Sequence, residues 1–389
     1  MSSEVRAMPA RSVFAPLWPL DPQTVFLNHG SFGSCPNWVL EQQGEIAARL
    51  EREPIRFIVE EAEVMWDRAR RALAEFVRVD AEGLAFVTNA TEGVNTVVRS
   101  LKFEPGDELL TNTHEYNACN NALRFAAARD GAKVVVAEVP FPIRSSAQVV
   151  EAVLGAVTPR TRLVLLSHVT SPSGLIFPVA EIVAALNRRG IESLVDGAHA
   201  PGMFALDIGA INPTYYTGNC HKWLCAPKGV GFLWVREEQR KTIRPLVISH
   251  GANSTRADRS LFRLEFDYMG TRDFSAVICL PLVIGYLASL HAKGWSGIYA
   301  SNRDLALRGR RLLAAKMGTE LPAPEEMIGT LGSVLIASRP EGVIPPVTKY
   351  HDALQDELIR RWRVQMPVFT FSPRADGKNG VRVARIACQ

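Results

Sequence analysis

RLVLLSHVTSPSGLIFPVAEIVAALNRRGIESLVDGAH, residues 162–199, decides the fold. An apolar run, RLVLLSHV, gives way to VAEIVAALNRRG, whose apolar residues fall at helical spacing and which stops at Gly190 after two arginines. A second apolar run, ESLVDGAH, then ends on Asp196 and His199. Near-continuous apolar strands are those covered on both faces, and strand, helix, strand in succession makes a parallel β–α–β unit. Outward from it, LAFVT (84–88), DELLTN (107–112), KVVVAEV (133–139) and VGFLWV (230–235) are further strands, and NNALRFAAARDGAK is a second packing helix. The expected fold class is α/β, with a largely parallel, helix-covered sheet between about residues 80 and 240. Ligands of such sheets bind beyond the carboxyl ends of the strands.

After about residue 260 the pattern changes to a long apolar helix candidate (SAVICLPLVIGYLASLHAKG), a second helix (DLALRGRRLLAAKM) and the strand-like GSVLIAS, which predict a smaller α+β domain. The expected division is an N-terminal segment over 1–20 packing on the small domain, a large domain over 21–260 and a small domain over 261–389. PAPEEMIG and SRPEGVIPP read as loops.

The bulk numbers exclude several function classes. With 389 residues, 47% hydrophobic and 22% charged, the chain can bury one large core and a smaller one. A net charge of +4 without runs of like charge argues against nucleic acid or a membrane surface as partner and favours a small-molecule substrate. Six cysteines without CxxC or zinc-ligand spacing predict neither a disulfide framework nor a metal site. MSSEVRAMPARSVFAPLWPL lacks a signal-peptide core, and AVICLPLVIGYLASL is shorter than the roughly 20 residues of a membrane helix, so a cytoplasmic protein is expected.

The strand ends carry the candidate chemistry. In TNATEGVNTVV (88–98) a strand runs into a helix start at Ala90 and Thr91, where free N–H groups and a hydroxyl suit a phosphate; an ordinary helix cap is the alternative. Asp196 ends a buried strand and is suited either to pairing with a cationic ring nitrogen or to capping a helix. Lys222, in NCHKWL (219–224), is either a solvated cation or a desolvated amine able to attack a carbonyl. Phosphate turn, aromatic turn (HEYNA, 114–118), aspartate and lysine follow successive strands, and pyridoxal phosphate uses all four.

Across nearly its whole length the chain resembles the class V aminotransferase superfamily of fold-type I pyridoxal-phosphate enzymes, and within it the isopenicillin N epimerase-like group. FLNHGSFGS, TNATEGVN, THEYNA, HVTSPSGLIFPV, VDGAHAPG, GNCHKWLCAPKGVGFLWV, FDYMGTRDFSA and LQDELIRRWRVQMPVF carry the likeness. The resemblance implies that Lys222 binds the cofactor's aldehyde, Asp196 the pyridine nitrogen, and that His199 lies near the ring hydroxyl with Tyr116 stacked on the ring. Ala90, Thr91, Asn219 and His221 would hold the phosphate. Gly270 and Thr271 would reach the phosphate of a neighbouring subunit in a homodimer with shared sites. Arg385 is the implied carboxylate-binding arginine, with Arg382 as substitute. Ser171 stands where many relatives carry asparagine near the ring hydroxyl. Asn28 and His29 in LNHGSFG and Arg56 in EPIRFI belong to segments that approach the substrate in the family. A structural histidine and a structural salt bridge are the alternatives for His29 and Arg56.

The chemistry so implied is removal of the Cα proton of an amino-acid substrate by Lys222. Epimerisation or racemisation, with Tyr116 or His29 as the acid on the opposite face, is the first reading. A C–S lyase acting by β-elimination, an aminotransferase and a non-enzymatic pyridoxal-phosphate-binding regulator are the alternatives. Residues 315–345 contain no cysteine, which speaks against a desulfurase.

Overall fold

The structure is a computed structural model that describes residues 10–337, 352–378 and 380–389. The first nine residues of the expected N-terminal segment, and the loop expected at SRPEGVIPP, lie outside them. Twelve strands are found among the described residues: β1 (Val25–Phe26), β2 (Leu84–Val87), β3 (Glu108–Asn112), β4 (Lys133–Ala137), β5 (Thr161–Ser167), β6 (Glu192–Gly197), β7 (Tyr215–Asn219), β8 (Gly231–Val235), β9 (Leu331–Leu335), β10 (Val364–Gln365), β11 (Val368–Phe371) and β12 (Val381–Ala387).

Seven of them form one sheet in the order β2-β8-β7-β6-β5-β3-β4. All its pairings are parallel except those of β8, which runs against both β7 and β2. Alternation along each strand divides the core in two. Val164, Leu166, Val195 and Phe86 face one side, where the helix Val179–Arg188 lays down Ile182, Val183 and Leu186. Leu163, Leu165, Leu194 and Val87 face the other, against Val94 and Val97 of the helix Ala90–Ser100 and Leu123 and Ala126 of Asn117–Asp130. The chain leaves β3 for β4 on one side and returns to β5 on the other, so a topological switch point lies between the carboxyl ends of β3 and β5.

Three local expectations change. β7 is a strand that the sequence hides, because YYTGN is not an apolar run; its polar groups are satisfied internally. Thr217 Oγ1 donates to the Phe232 carbonyl (2.8 Å), Tyr215 donates to Glu192 (3.0 Å), and the Tyr216 hydroxyl meets His168 Nδ1 (2.9 Å). The long apolar helix is broken into Ser275–Ile278 and Leu280–Ser289, because Pro281 has no N–H to continue the ladder and sits instead in the first turn of the second piece. The following helix begins at Gly294 rather than Asp304 and runs to Met317.

Beyond it, β9, β12 and β11 form a separate antiparallel sheet, β12 lying between the other two, and β1 pairs with β10. No helix among the described residues is long and apolar enough to cross a membrane. The loop after β6 closes tightly on the segment after β7. Gly202 takes φ +85°, and a Cβ there would lie 2.5 Å from the backbone nitrogen of Leu224. Gly202→Ala is therefore expected to lower stability by on the order of 1–3 kcal/mol, read as a lower urea midpoint; an unchanged midpoint would show that the two segments do not meet this closely.

Candidate active site

Lys222 lies three residues beyond the end of β7, and its main chain is fixed on several sides. Its carbonyl accepts from Cys225 N–H (3.0 Å) and from His29 Nε2–H (3.0 Å), and Gly33, at φ +69°, leaves its backbone space. Trp223, fully buried, donates its indole N–H to His199 Nδ1 (3.3 Å). His199 Nε2 lies 3.0 Å from the Lys222 amine. Burial and then the Lys222 charge hold His199 well below the usual imidazole range, so the ring is neutral. With Nδ1 accepting from Trp223, the ring hydrogen sits on Nε2 and points at the amine, which must then offer a lone pair. Independently, burial, followed by the charge of Arg385, lowers the Lys222 ammonium to about 7. A group lowered to about 7 is partly a free amine at neutral pH and wholly so above it.

The amine faces a cavity of about 410 Å³ lined by residues from the carboxyl ends of β2, β3, β5, β6 and β7. It brings together Ala90, Thr91, Tyr116, Ser171, Asp196, His199, Asn219, His221 and Lys222, nine of the residues expected from the sequence. Asn89 caps the helix Ala90–Ser100 by accepting from Glu92 N–H (3.0 Å), while Asn219 Oδ1 accepts from Ala90 N–H (2.8 Å). His221, lowered to about 4 mainly by burial, has a ring Nδ1 that is buried without a partner. Asp196 accepts from Ala198 N–H (2.9 Å) and from the Cys119 thiol (3.1 Å).

Arg385 is buried directly behind the cavity wall. Its guanidinium donates to the Ser171 carbonyl, to Ser171 Oγ (3.3 Å) and to Ser31 Oγ (3.4 Å), and lies over the Phe369 ring. Its Nε has no partner, and burial lowers the group to about 10.

Other expected residues lie elsewhere. Arg382, three positions away on β12, projects from the opposite face and is taken up by Asp352 (2.7 and 2.9 Å) and the Ala337 carbonyl. Arg56 is a surface residue paired with Glu53, Glu60 and Glu61. His29 is buried beneath Lys222 and packs on Trp223; burial lowers it to about 4, and it supports backbone rather than lining the cavity. Asn28 accepts from Ser31 Oγ and is likewise outside the lining. Gly270 and Thr271 stand outside this chain's cavity, Thr271 exposed beside Tyr268.

The sequence reading passed over Glu115, Ser167 and Ser31. Glu115 lay inside the quoted turn HEYNA, and Ser167 is the polar residue that ends the apolar run of β5; both positions follow from looking beyond strand ends. A folded ammonium held below its unfolded range costs stability that grows as pH falls from 10.5 toward 7 and is complete below 7. Lys222→Met should accordingly raise the unfolding midpoint of the cofactor-free protein, more at pH 7 than at pH 9. An equal effect at both would mean the amine is not desolvated.

The family model described as Aminotransferase class-V matches residues 39–330. The chain is 36% identical to the isopenicillin N epimerase of Streptomyces clavuligerus over 361 residues, covering 90% of this chain and 88% of that one. It is 28% identical to a probable chloroplastic L-cysteine desulfhydrase of Arabidopsis thaliana over 375 residues, covering 92% and 77%. Among solved structures, the cysteine desulfurase of Thermococcus onnurineus matches with a TM-score of 0.77 at 18% identity, over 95% of this chain and 91% of that chain. The cystine C–S lyase C-DES matches at 0.74 and 23%, over 95% and 93%. At those identities the structural likeness is one of fold. Family match, full-length relatives and the strand-end site agree: the chain belongs to the class-V aminotransferase family and is a pyridoxal 5′-phosphate enzyme.

Proposed function

We propose that this enzyme removes the Cα proton of an amino-acid substrate and returns a proton from the opposite face, as an epimerase or racemase. The observation that carries the reading is the Lys222 amine, desolvated and lowered to about 7 so that free base is present near neutral pH, facing a cavity that Tyr116 also lines. The residues present suit the cofactor. The enclosed, partnerless Nδ1 of His221 would be satisfied by a phosphate oxygen beside Ala90 and Thr91, and the cavity lies within the range of roughly 300–1,000 Å³ usual for ligand sites.

When bound, pyridoxal phosphate supplies an aldehyde for the substrate's amine and a ring that takes up the electrons released at Cα. The chain's own residues do the rest. Asp196 would hold the charge of the ring nitrogen, and Tyr116 would cover the ring. Lys222 takes the proton at Nζ, and the Tyr116 hydroxyl delivers one from the other side. Arg385, with Ser31 and Ser171 at its tip, binds the substrate carboxylate; Arg382 is committed to Asp352 and has no part in this. Gly270 and Thr271 serve the site of a second copy in a homodimer.

The 36% identity to an epimerase supports this outcome of proton removal. No cysteine is among the described residues lining the cavity, which argues against sulfur transfer to a protein thiol. β-Elimination shares the first step and has relatives among the desulfhydrases. Incubation of the loaded enzyme with amino acids and their sulfur conjugates in heavy water separates the two. Deuterium at Cα with the opposite enantiomer appearing is expected; pyruvate and a free thiol, with no inversion, would replace this reading by elimination. Tyr116→Phe should slow appearance of the opposite enantiomer by about 10²–10⁴-fold while sparing exchange from the Lys222 face, and Lys222→Ala should abolish both.

A further inference from the structure

Behind Asp196 lies a second carboxyl group that the reaction as described does not use. Glu115 is buried at the turn after β3. Its Oε1 accepts from Ser167 Oγ–H (2.8 Å) and from Tyr116 N–H (2.8 Å), whereas its Oε2 is buried with no partner. Carboxylate and thiol atoms of Glu115, Asp196 and Cys119 all lie within 4.8 Å of one another. Two carboxylates this close and this dry cannot both be ionised, because each raises the other's proton affinity and burial raises both.

We propose that Glu115 is the neutral, protonated member of this pair and acts as a positioning residue that leaves Asp196 ionised for the ring nitrogen of the bound cofactor. The inference rests on the reading of Asp196 as that nitrogen's partner.

Local donors decide which carboxyl keeps the proton. Both Asp196 oxygens accept hydrogen bonds, from Ala198 N–H and the Cys119 thiol, and both bonds favour the ionised form. Glu115 has donors at one oxygen only, and an ionised Oε2 without any donor would be the costlier state. A protonated Oε2 removes that charge. Burial, followed by the charge of Asp196, pushes the Glu115 carboxyl up to about 8. The titratable groups facing the pair are Cys119 from the helix Asn117–Asp130, Lys222 after β7, and Tyr216 on β7. Burial holds both the Cys119 thiol and the Tyr216 phenol well above their ordinary values, so neither adds a negative charge near neutral pH. Glu115 also links Asp196 to the cavity mouth: its carboxyl lies within 4.8 Å of the Asp196 carboxylate, and it accepts from the N–H of the next residue, Tyr116.

Infrared spectra of wild type, Glu115→Gln and Asp196→Asn at pH 7, each cofactor-free and loaded, test the proposal. A carboxylic-acid carbonyl band that shifts in heavy water is expected in wild type and in Asp196→Asn, and is expected to be missing in Glu115→Gln. A band lost in Asp196→Asn but kept in Glu115→Gln, or absent from wild type, overturns it. In the cofactor-free wild type the acid band should fade as pH rises through about 8, and a band unchanged by pH 9 also overturns it. The underlying reading of Asp196 fails separately: Asp196→Asn should weaken cofactor binding about tenfold or more, and unchanged binding sinks that reading whatever the infrared band does. Should Glu115→Gln not fold, wild type carrying 13C-labelled glutamate carboxyls serves instead. A label-shifted acid band at pH 7 that fades by pH 9 supports the proposal, and its absence overturns it.

Discussion

Taking one ammonium group out of water is the constraint around which this molecule is arranged. Lowering Lys222 from 10.5 to about 7 corresponds to roughly 5 kcal/mol of unfavourable desolvation and repulsion, a large share of the stability of an ordinary domain. The surrounding fold supplies the offset. β7 is buried between β6 and β8, Trp223 is fully enclosed, and the backbone of residue 222 is pinned by Cys225 and His29. The polar residues of β7 are a consequence: the strand that delivers the lysine is held in register by side-chain hydrogen bonds as well as by packing.

The same dryness simplifies the electrostatics of the site. His29, His199 and His221 are all neutralised by burial, so they act as fixed donors and acceptors instead of charges. Charge is then concentrated in few groups: Arg385 on the side of Ser31 and Ser171, and the Asp196–Glu115 pair on the side of β6. Such polarity suits a substrate with an anionic end and a cofactor ring that accumulates electrons, since each charge is stabilised where it develops.

Much of this was legible in the sequence because apolar runs and the polar residues after them report directly on buried strands and their ends. Asp196, Thr91 and Tyr116 lie where that rule looks, whereas Lys222 stands out through the family likeness of the segment around it. β7 did not, since the periodicity of YYTGN carries no apolar signal and its burial depends on partners 15 to 48 residues away. Choosing between Arg382 and Arg385 needed the pleat, which sends residues three apart to opposite faces. The segment of His29 does approach the site, but its ring turns under the lysine to meet the Lys222 carbonyl. Glu115 was visible in HEYNA, but its importance lies in a neighbour 81 positions later, Asp196, which local sequence cannot express.

The cavity's two rims differ in how tightly they are built. Asp196 and His199 are buried at the strand ends beside Lys222, whereas Phe32 is 75% exposed and Tyr116 46% exposed at its mouth. Substitutions in the first group disturb folding and chemistry together; those in the second touch few neighbours and cost little stability. Natural variation can therefore explore new substrates and new fates for the abstracted proton at the mouth while the proton-abstracting floor stays fixed. Functional divergence on this scaffold is thus cheap in foldability, and the reaction it performs is open to change by a handful of exposed positions.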